Sequence, residues 1–273
     1  MIVCIIQARM GSTRLPGKVM MKIREKPILY YVINQVRQSK KLDNVVIATT
    51  TLTEDTQIVN YVKLLQENIF RGDPENVLDR YYQCAKEYNA DIIVRITADC
   101  PLIDPRIIDK CISEFENGDF DYLSNTIKKE NDVWNYHHNG FPIGIALEVF
   151  TFNALKKAKT EAKKPSEKEH VSPYMVNNSN LFKLGNIEND ENQSDIRLTV
   201  DHKIDFDLIQ IIIEHFKECK YFSMDQLVSF LNKNPQLKQM NSNISHYEGY
   251  LKSLKEDRMH LKSLNENDFK SNS

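Results

Sequence analysis

The chain has 273 residues, 41% hydrophobic and 27% charged, a balance that excludes a wholly disordered chain, a collagen-like repeat and a small disulfide scaffold. Lys plus Arg number 36 against 38 for Asp plus Glu, and the net charge of −2 excludes a strongly basic nucleic-acid binder. Five cysteines (Cys4, Cys84, Cys100, Cys111, Cys219) are odd in number and never spaced Cys-x-x-Cys, which argues for a reducing compartment and against structural zinc.

In chain order, the first apolar run, residues 2–6, is β-branched and stops at Gln7. It is too short for a signal-peptide core or a membrane span, so a soluble, cytoplasmic protein with no membrane or nucleic-acid partner is expected. Leu29, Val32, Ile33 and Val36 then share one face of a helix over 28–38. Residues 45–49 read as a second buried strand, and 55–66 as a helix capped by Thr53 or Glu54. A further helix over 75–89 leads into a third strand at 92–96. Strands apolar on both faces and separated by helices predict an α/β fold with a parallel sheet covered on both sides.

The middle is less regular. Residues 133–144 are aromatic, His-bearing and punctuated by Gly and Pro, which fits a loop around a site or an edge hairpin. His137-His138 fit a surface loop, because adjacent histidines on a regular element cannot face one metal. Residues 145–150 read as a strand, 152–163 as a helix, 197–200 as a fourth buried strand and 205–217 as an amphipathic helix. From 240 to 273 the chain turns polar, and is either a peripheral helix carrying Tyr250, Leu251, Leu254 and Leu261 or partly disordered. Residues 1–239 are expected to form the main domain, with 121–195 as a protruding middle region that could build a homodimer.

The segment Gln7-Ala8-Arg9-Met10-Gly11-Ser12-Thr13-Arg14-Leu15-Pro16-Gly17-Lys18 directly follows the first strand, where open α/β sheets usually bind ligands. Its glycines let backbone approach phosphate oxygens, and Arg9, Arg14 and Lys18 can neutralise a triphosphate. It is no Walker loop: five residues separate Gly11 from Gly17, and Val19 stands where that motif needs Ser or Thr. A P-loop kinase is thereby disfavoured. Asp99 and Asp201 each end a buried run, and two such carboxylates could hold Mg²⁺. Arg95 lies within a strand and needs a partner, either Asp79 or Asp104 or a ligand. Arg80, on a helix, reads as structural, and Cys100 as a packed thiol.

The same residues carry a resemblance. QARMGSTRLPGK is similar to the amino-terminal signature of cytidylyltransferases that make CMP-activated sugars, the CMP-Kdo and CMP-acylneuraminate synthetases, and resembles most the SpsF-like branch. Phe70 to Asp73, Val77 to Tyr81, Val94 to Pro105, Glu169 to Tyr174, Arg197 to Asp201 and Glu248 to Tyr250 match that branch in order. The resemblance implies a three-layer α/β/α domain of nucleotide-diphospho-sugar transferase (GT-A-like) type. It implies CTP-dependent nucleotidyl transfer to a small sugar-like acceptor, feeding a surface polysaccharide or glycan. In that reading Arg9, Arg14 and Lys18 are catalytic, and Gln7, Ala8, Gly11, Ser12, Arg71, Asp73 and Arg95 join them in binding nucleotide. Asp99 and Asp201 hold Mg²⁺, with Mn²⁺ as a substitute, while Glu148, Glu169 and His170 lie on the acceptor side. One departure stands out: the branch commonly reads Pro-Asp-Gly-Leu-Asp-Val-Glu where this chain has Pro142-Ile143-Gly144-Ile145-Ala146-Leu147-Glu148, and the loss of two acids implies an acceptor that is more apolar or differently charged. Two rivals stay open, a GT-A glycosyltransferase consuming a nucleotide-sugar and a non-catalytic nucleotide-binding homologue.

Overall fold

The computed structural model describes residues 1–245 and 248–271, with side chains described through residue 262. Strand β1 (Ile2–Gln7) leads through the glycine loop and a single 3-10 turn (Lys18–Met20) to a short hairpin, β2 (Lys22–Ile23) and β3 (Lys26–Pro27), and then to α1 (Ile28–Val36). There follow β4 (Asn44–Thr50), α2 (Thr56–Leu64), β5 (Asn68–Gly72), α3 (Val77–Glu87), β6 (Ile92–Thr97) and α4 (Pro105–Asn117). The middle region contributes β7 (Tyr122–Ser124), the hairpin β8 (Ile127–Glu130) and β9 (Val133–Tyr136), then β10 (Glu148–Thr151), α5 (Phe152–Glu161), α6 (Pro165–His170), α7 (Pro173–Asn177) and β11 (Leu184–Asn186). Helices α8 (Lys203–His215), α9 (Met224–Lys233), α10 (Pro235–Gln239) and α11 (Glu248–Ser271) complete the chain.

Seven strands form one sheet in the order β11-β7-β10-β6-β1-β4-β5. Pairings of β1 with β4 and β6, of β4 with β5 and of β7 with β11 are parallel, whereas β10 runs antiparallel to both neighbours. The side-chain period of two sorts the central strands onto two faces. Cys4, Ile6, Ile47, Val94 and Ile96 face the layer that includes α1, α4, α8 and α9, and Val3, Ile5, Val46, Ala48 and Ile93 face α3, α5 and α7. This is the expected three-layer, mostly parallel fold.

The differences have local causes. Residues 197–200 are buried but form no sheet strand: they make an isolated bridge, Ile143 to Arg197, and Val200 N–H donates to Asp99 O at 2.8 Å. Gly144, at φ +97°, lets the chain pass so close that a Cβ there would lie 2.6 Å from the Leu198–Thr199 peptide. The strand expected over 145–150 is confined to β10 at its end, because this close pass occupies its start. Short strands β5, β7 and β11 lack a periodic signature long enough to read; of the segment 133–144, residues 133–136 form β9 of a separate two-stranded hairpin with β8, and 137–144 are irregular. The tail is helical through α11, with Tyr250 packed on Tyr136 at 5.0 Å and Leu251 and Leu261 exposed.

Candidate active site

A cavity of about 720 Å³ opens at the carboxyl ends of β1 and β6. Gln7, Ala8, Arg9, Gly11, Ser12, Arg14, Lys18, Arg95, Asp99, Glu169 and His170 all line it, as the sequence predicts. The loop that carries the cations is held by its own backbone. Asp55 accepts the Met10 N–H at 2.7 Å, Gly17 N–H returns to Met10 O at 3.0 Å, and Gly17 sits at φ +69°, a left-handed turn that suits glycine. Ser12 Oγ accepts the Leu15 N–H at 3.3 Å, closing the turn before Lys18.

That turn drives Lys18 inward, so the residue is only 8% exposed. Its Nζ donates to Asp99 Oδ2 at 2.7 Å and to Asp201 Oδ1 at 2.9 Å. Arg14 Nη2 reaches the same Asp201 oxygen at 2.6 Å, and Arg197 Nη2 donates to the other at 2.9 Å. Arg197 Nε continues to Asp205 Oδ1 at 3.0 Å, and Thr97 Oγ1 donates to Asp99 Oδ1 at 2.6 Å. Three cations thus meet three aspartates in a nearly neutral cluster, buried at Lys18, Arg197, Asp201 and Asp205 and open to solvent at Arg14. Burial alone would raise the Asp99 carboxyl, but the Lys18 ammonium overrides it and lowers the group to about 2. Burial would lower Lys18, yet the two carboxylates raise it above the ordinary lysine range.

Two carboxylate oxygens converging on one cation are a hard donor set that suits Mg²⁺ or Mn²⁺. Among the described residues no group of three or more His, Cys, Asp and Glu side chains is gathered for a metal. Any ion here would therefore complete its shell with phosphate oxygens and water, the habit of Mg²⁺ at nucleotide sites.

The opposite wall is built from the middle region. Glu148, expected on the acceptor side, stands behind this wall rather than on the cavity lining: it is 5% exposed and accepts from Arg95 Nη1 at 2.7 Å, Tyr122 OH at 2.9 Å and Ser172 Oγ at 2.6 Å. Arg95 therefore pairs with Glu148, not with Asp79 or Asp104, and its Nε also reaches Gln7 Oε1 at 3.2 Å. Asp104 instead caps α4 and binds Arg106. Arg9 Nη2 pairs with Glu169 at 2.8 Å, and His170 Nε2 meets Ser253 Oγ of α11 at 2.8 Å. Between His170 and Ser172, buried Val171 adopts φ +71°, a strained conformation for a β-branched residue. Burial, reinforced by the nearby Arg95 guanidinium, lowers the His170 imidazole to about 4, so it is neutral at physiological pH.

Other expectations are relocated. Arg71 holds the Thr50 and Leu52 carbonyls at 2.9 and 2.8 Å, and Asp73 caps the turn at Glu75 and Asn76, so neither lines the cavity. Ile143 is buried in the core at 6% exposure and Ala146 is off the wall, so the missing acids do not change the cavity lining directly. Cys100 is a packed thiol, pushed up to about 12 by burial. Arg80, read from the sequence as a structural helix residue, lines the cavity at 1% exposure. Its Nη1 donates to Asp73 O at 2.7 Å, its Nε has no partner, and no carboxylate lies in pairing range among the described residues. The signal that could have found it is its place in the first turn of α3, beside the strand ends. Sequence reasoning missed α11: Glu248 joins Arg14 and His202, Asp257 holds Ser166 at 2.6 and 2.9 Å, and Gly249, Lys252 and Ser253 line the cavity. The polar tail is part of the site wall.

Comparison with known proteins accords with this geometry. The chain is 41% identical over 245 residues to the uncharacterized protein MJ1063 of Methanocaldococcus jannaschii, covering 89% of this chain and 95% of that one. It is 33% identical over 243 residues to the spore coat polysaccharide biosynthesis protein SpsF of Bacillus subtilis, covering 86% and 95%. A cytidylyltransferase structure from Leptospira borgpetersenii superposes with a TM-score of 0.80 at 35% identity, covering 90% of this chain and 99% of that one. A family described as cytidylyltransferase matches residues 3–252, a span that includes the loop and the strand ends around the cavity, and the chain belongs to the cytidylyltransferase family and is a nucleotidyltransferase.

Proposed function

We propose that this enzyme transfers CMP from CTP to a sugar-like acid, a sugar phosphate or a polyol phosphate, releasing pyrophosphate, in the assembly of a surface polysaccharide or glycan. The observation that carries the reading is the convergence of Lys18 and Arg14 on Asp99 and Asp201 at the mouth of β1 and β6. Such a cluster offers cations to a triphosphate and, opposite them, oxygen ligands to a divalent ion. The described residues include no helix long and apolar enough to cross a membrane.

An acceptor oxygen attacks the α-phosphorus, a new P–O bond forms, and the bond to the β-phosphate oxygen breaks. Little covalent work falls to the protein, so positioning and charge neutralisation carry the rate. Arg14 and Lys18 neutralise the departing pyrophosphate, and Arg9 turns from Glu169 to a phosphate oxygen. Mg²⁺ or Mn²⁺ held by Asp99 and Asp201 would polarise the α-phosphate. Glu148, locked by Arg95, Tyr122 and Ser172 behind the cavity lining, would fix the Arg95 guanidinium rather than act as a free base. Neutral His170, with Nε2 on Ser253 Oγ, would offer its other ring nitrogen as a hydrogen-bonding partner for a hydroxyl acceptor.

The test is pyrophosphate release from CTP, UTP, ATP and GTP with a panel of sugar acids, sugar phosphates and polyol phosphates. Acceptor-dependent release from CTP is expected. Transfer of a sugar from a nucleotide-sugar, with no pyrophosphate, would replace this reading with the glycosyltransferase one.

A further inference from the structure

The buried cluster poses a problem for any metal. Asp99 and Asp201 are each tied elsewhere: Thr97 holds Asp99 Oδ1, and Arg197 and Arg14 hold the two oxygens of Asp201. Among the described residues, the group that bridges both is the Lys18 ammonium, at 2.7 and 2.9 Å. It sits where a shared cation would sit, and the carboxylates would need to close in by about 0.6–0.9 Å to reach the roughly 2.0–2.1 Å of a Mg²⁺ ligand. A divalent ion and an ammonium cannot share that point, because their repulsion in a buried site is severe. Lys18 in turn cannot leave alone, since its charge would be stranded without an anion.

We propose that Lys18 is a built-in stand-in for the metal, and that nucleotide and metal enter by exchange. This rests on the proposed CTP and metal chemistry. The triphosphate draws the Lys18 ammonium off Asp99 and Asp201, and the freed carboxylates take the divalent ion. Neither ligand completes the exchange by itself, so the empty enzyme takes up metal poorly and does not hold it between turnovers. Lys18 thus serves two ends, counter-ion in the free enzyme and phosphate ligand in the loaded one.

The probe is Mn²⁺ alone, titrated without nucleotide and followed by electron paramagnetic resonance and by the melting temperature. Wild type is expected to bind it weakly and to melt unchanged. Lys18→Gln, which removes the internal cation, is expected to bind Mn²⁺ at least tenfold more tightly and to melt higher with it. Lys18→Arg, which keeps a cation there, should behave like wild type, and adding Asp99→Asn to Lys18→Gln should abolish the gain. Should Lys18→Gln fold only with Mn²⁺ present, the exchange is supported directly. Tight Mn²⁺ uptake by nucleotide-free wild type, or no gain in Lys18→Gln, would overturn it. That result leaves the proposed function intact if pyrophosphate release persists; absence of release from any nucleotide would strike the function instead.

Discussion

The two ends of the cavity treat buried charge in opposite ways. Below β6, Lys18, Arg14 and Arg197 are matched to Asp99, Asp201 and Asp205, each within 3.0 Å of a partner. Under α3, the Arg80 guanidinium is as deeply buried yet has one carbonyl contact and no acid within pairing range among the described residues. Gly72 makes room for it, since a Cβ there would lie 2.9 Å from Arg80 Cγ. Burial depresses the Arg80 guanidinium below its ordinary value and neighbouring Arg9 adds to this, whereas the paired Arg197 is raised despite its burial. A matched cluster stabilises its members against removal. An unmatched charge costs the free protein stability and becomes favourable only when a ligand supplies the missing acceptor.

The comparison breaks most visibly at Asp201, which serves Lys18, Arg14 and Arg197. Asp201→Asn is expected to cost about 3–5 kcal/mol of stability in urea melts, the scale of a broken buried pair. Its pyrophosphate release should fall about 1000-fold, and the double variant with Asp99→Asn should be hardly slower, because both acids serve one step. Additive losses would separate their roles.

Lys18→Ala and Arg14→Ala should each lower turnover by roughly tenfold to a hundredfold, from charge-assisted contacts worth about 1.5–3 kcal/mol. They differ in stability. Lys18 is buried against two acids, so its loss should cost about 3 kcal/mol, while Arg14, with a side chain 33% exposed, should cost under about 1 kcal/mol. Equal melting temperatures would contradict the buried cluster.

The cavity wall that carries His170 gives a pH test. His170 is lowered to about 4 in the folded protein from an ordinary value near 6.5, so between those values the unfolded chain binds the extra proton. Stability should therefore fall as pH drops from about 6.5 to 4, by about 1–3 kcal/mol at about 1.4 kcal/mol per unit. His170→Asn should flatten that slope in thermal melts across the window. An unchanged slope would place the protonation elsewhere.

The smallest effect sharpens the contrast. Arg80→Met should leave ligand-free stability unchanged or raise it by up to about 1 kcal/mol, because it removes an unmatched buried charge. CTP affinity, measured by calorimetry, should nonetheless drop about tenfold. A strongly destabilised variant with unchanged affinity would make Arg80 a structural residue.

Much of this was legible in the sequence. The β-branched runs at 2–6, 45–49 and 92–96 and the helices between them set the parallel half of the sheet, because strand and helix periods are written in windows of a few residues. The position of the loop after β1 and of Asp99 after β6 followed from the same windows, since ligands gather at strand ends. What only the tertiary structure decided is who meets whom. Lys18 finds Asp99 across 81 positions and Asp201 across 183, Arg14 finds Glu248 across 234, and Arg95 turns to Glu148 rather than to the nearer Asp79 or Asp104. A charge in a sequence states only that a partner is needed. Which partner it gets is fixed by strand order and by the docking of α11 on α6, and no local period encodes either one.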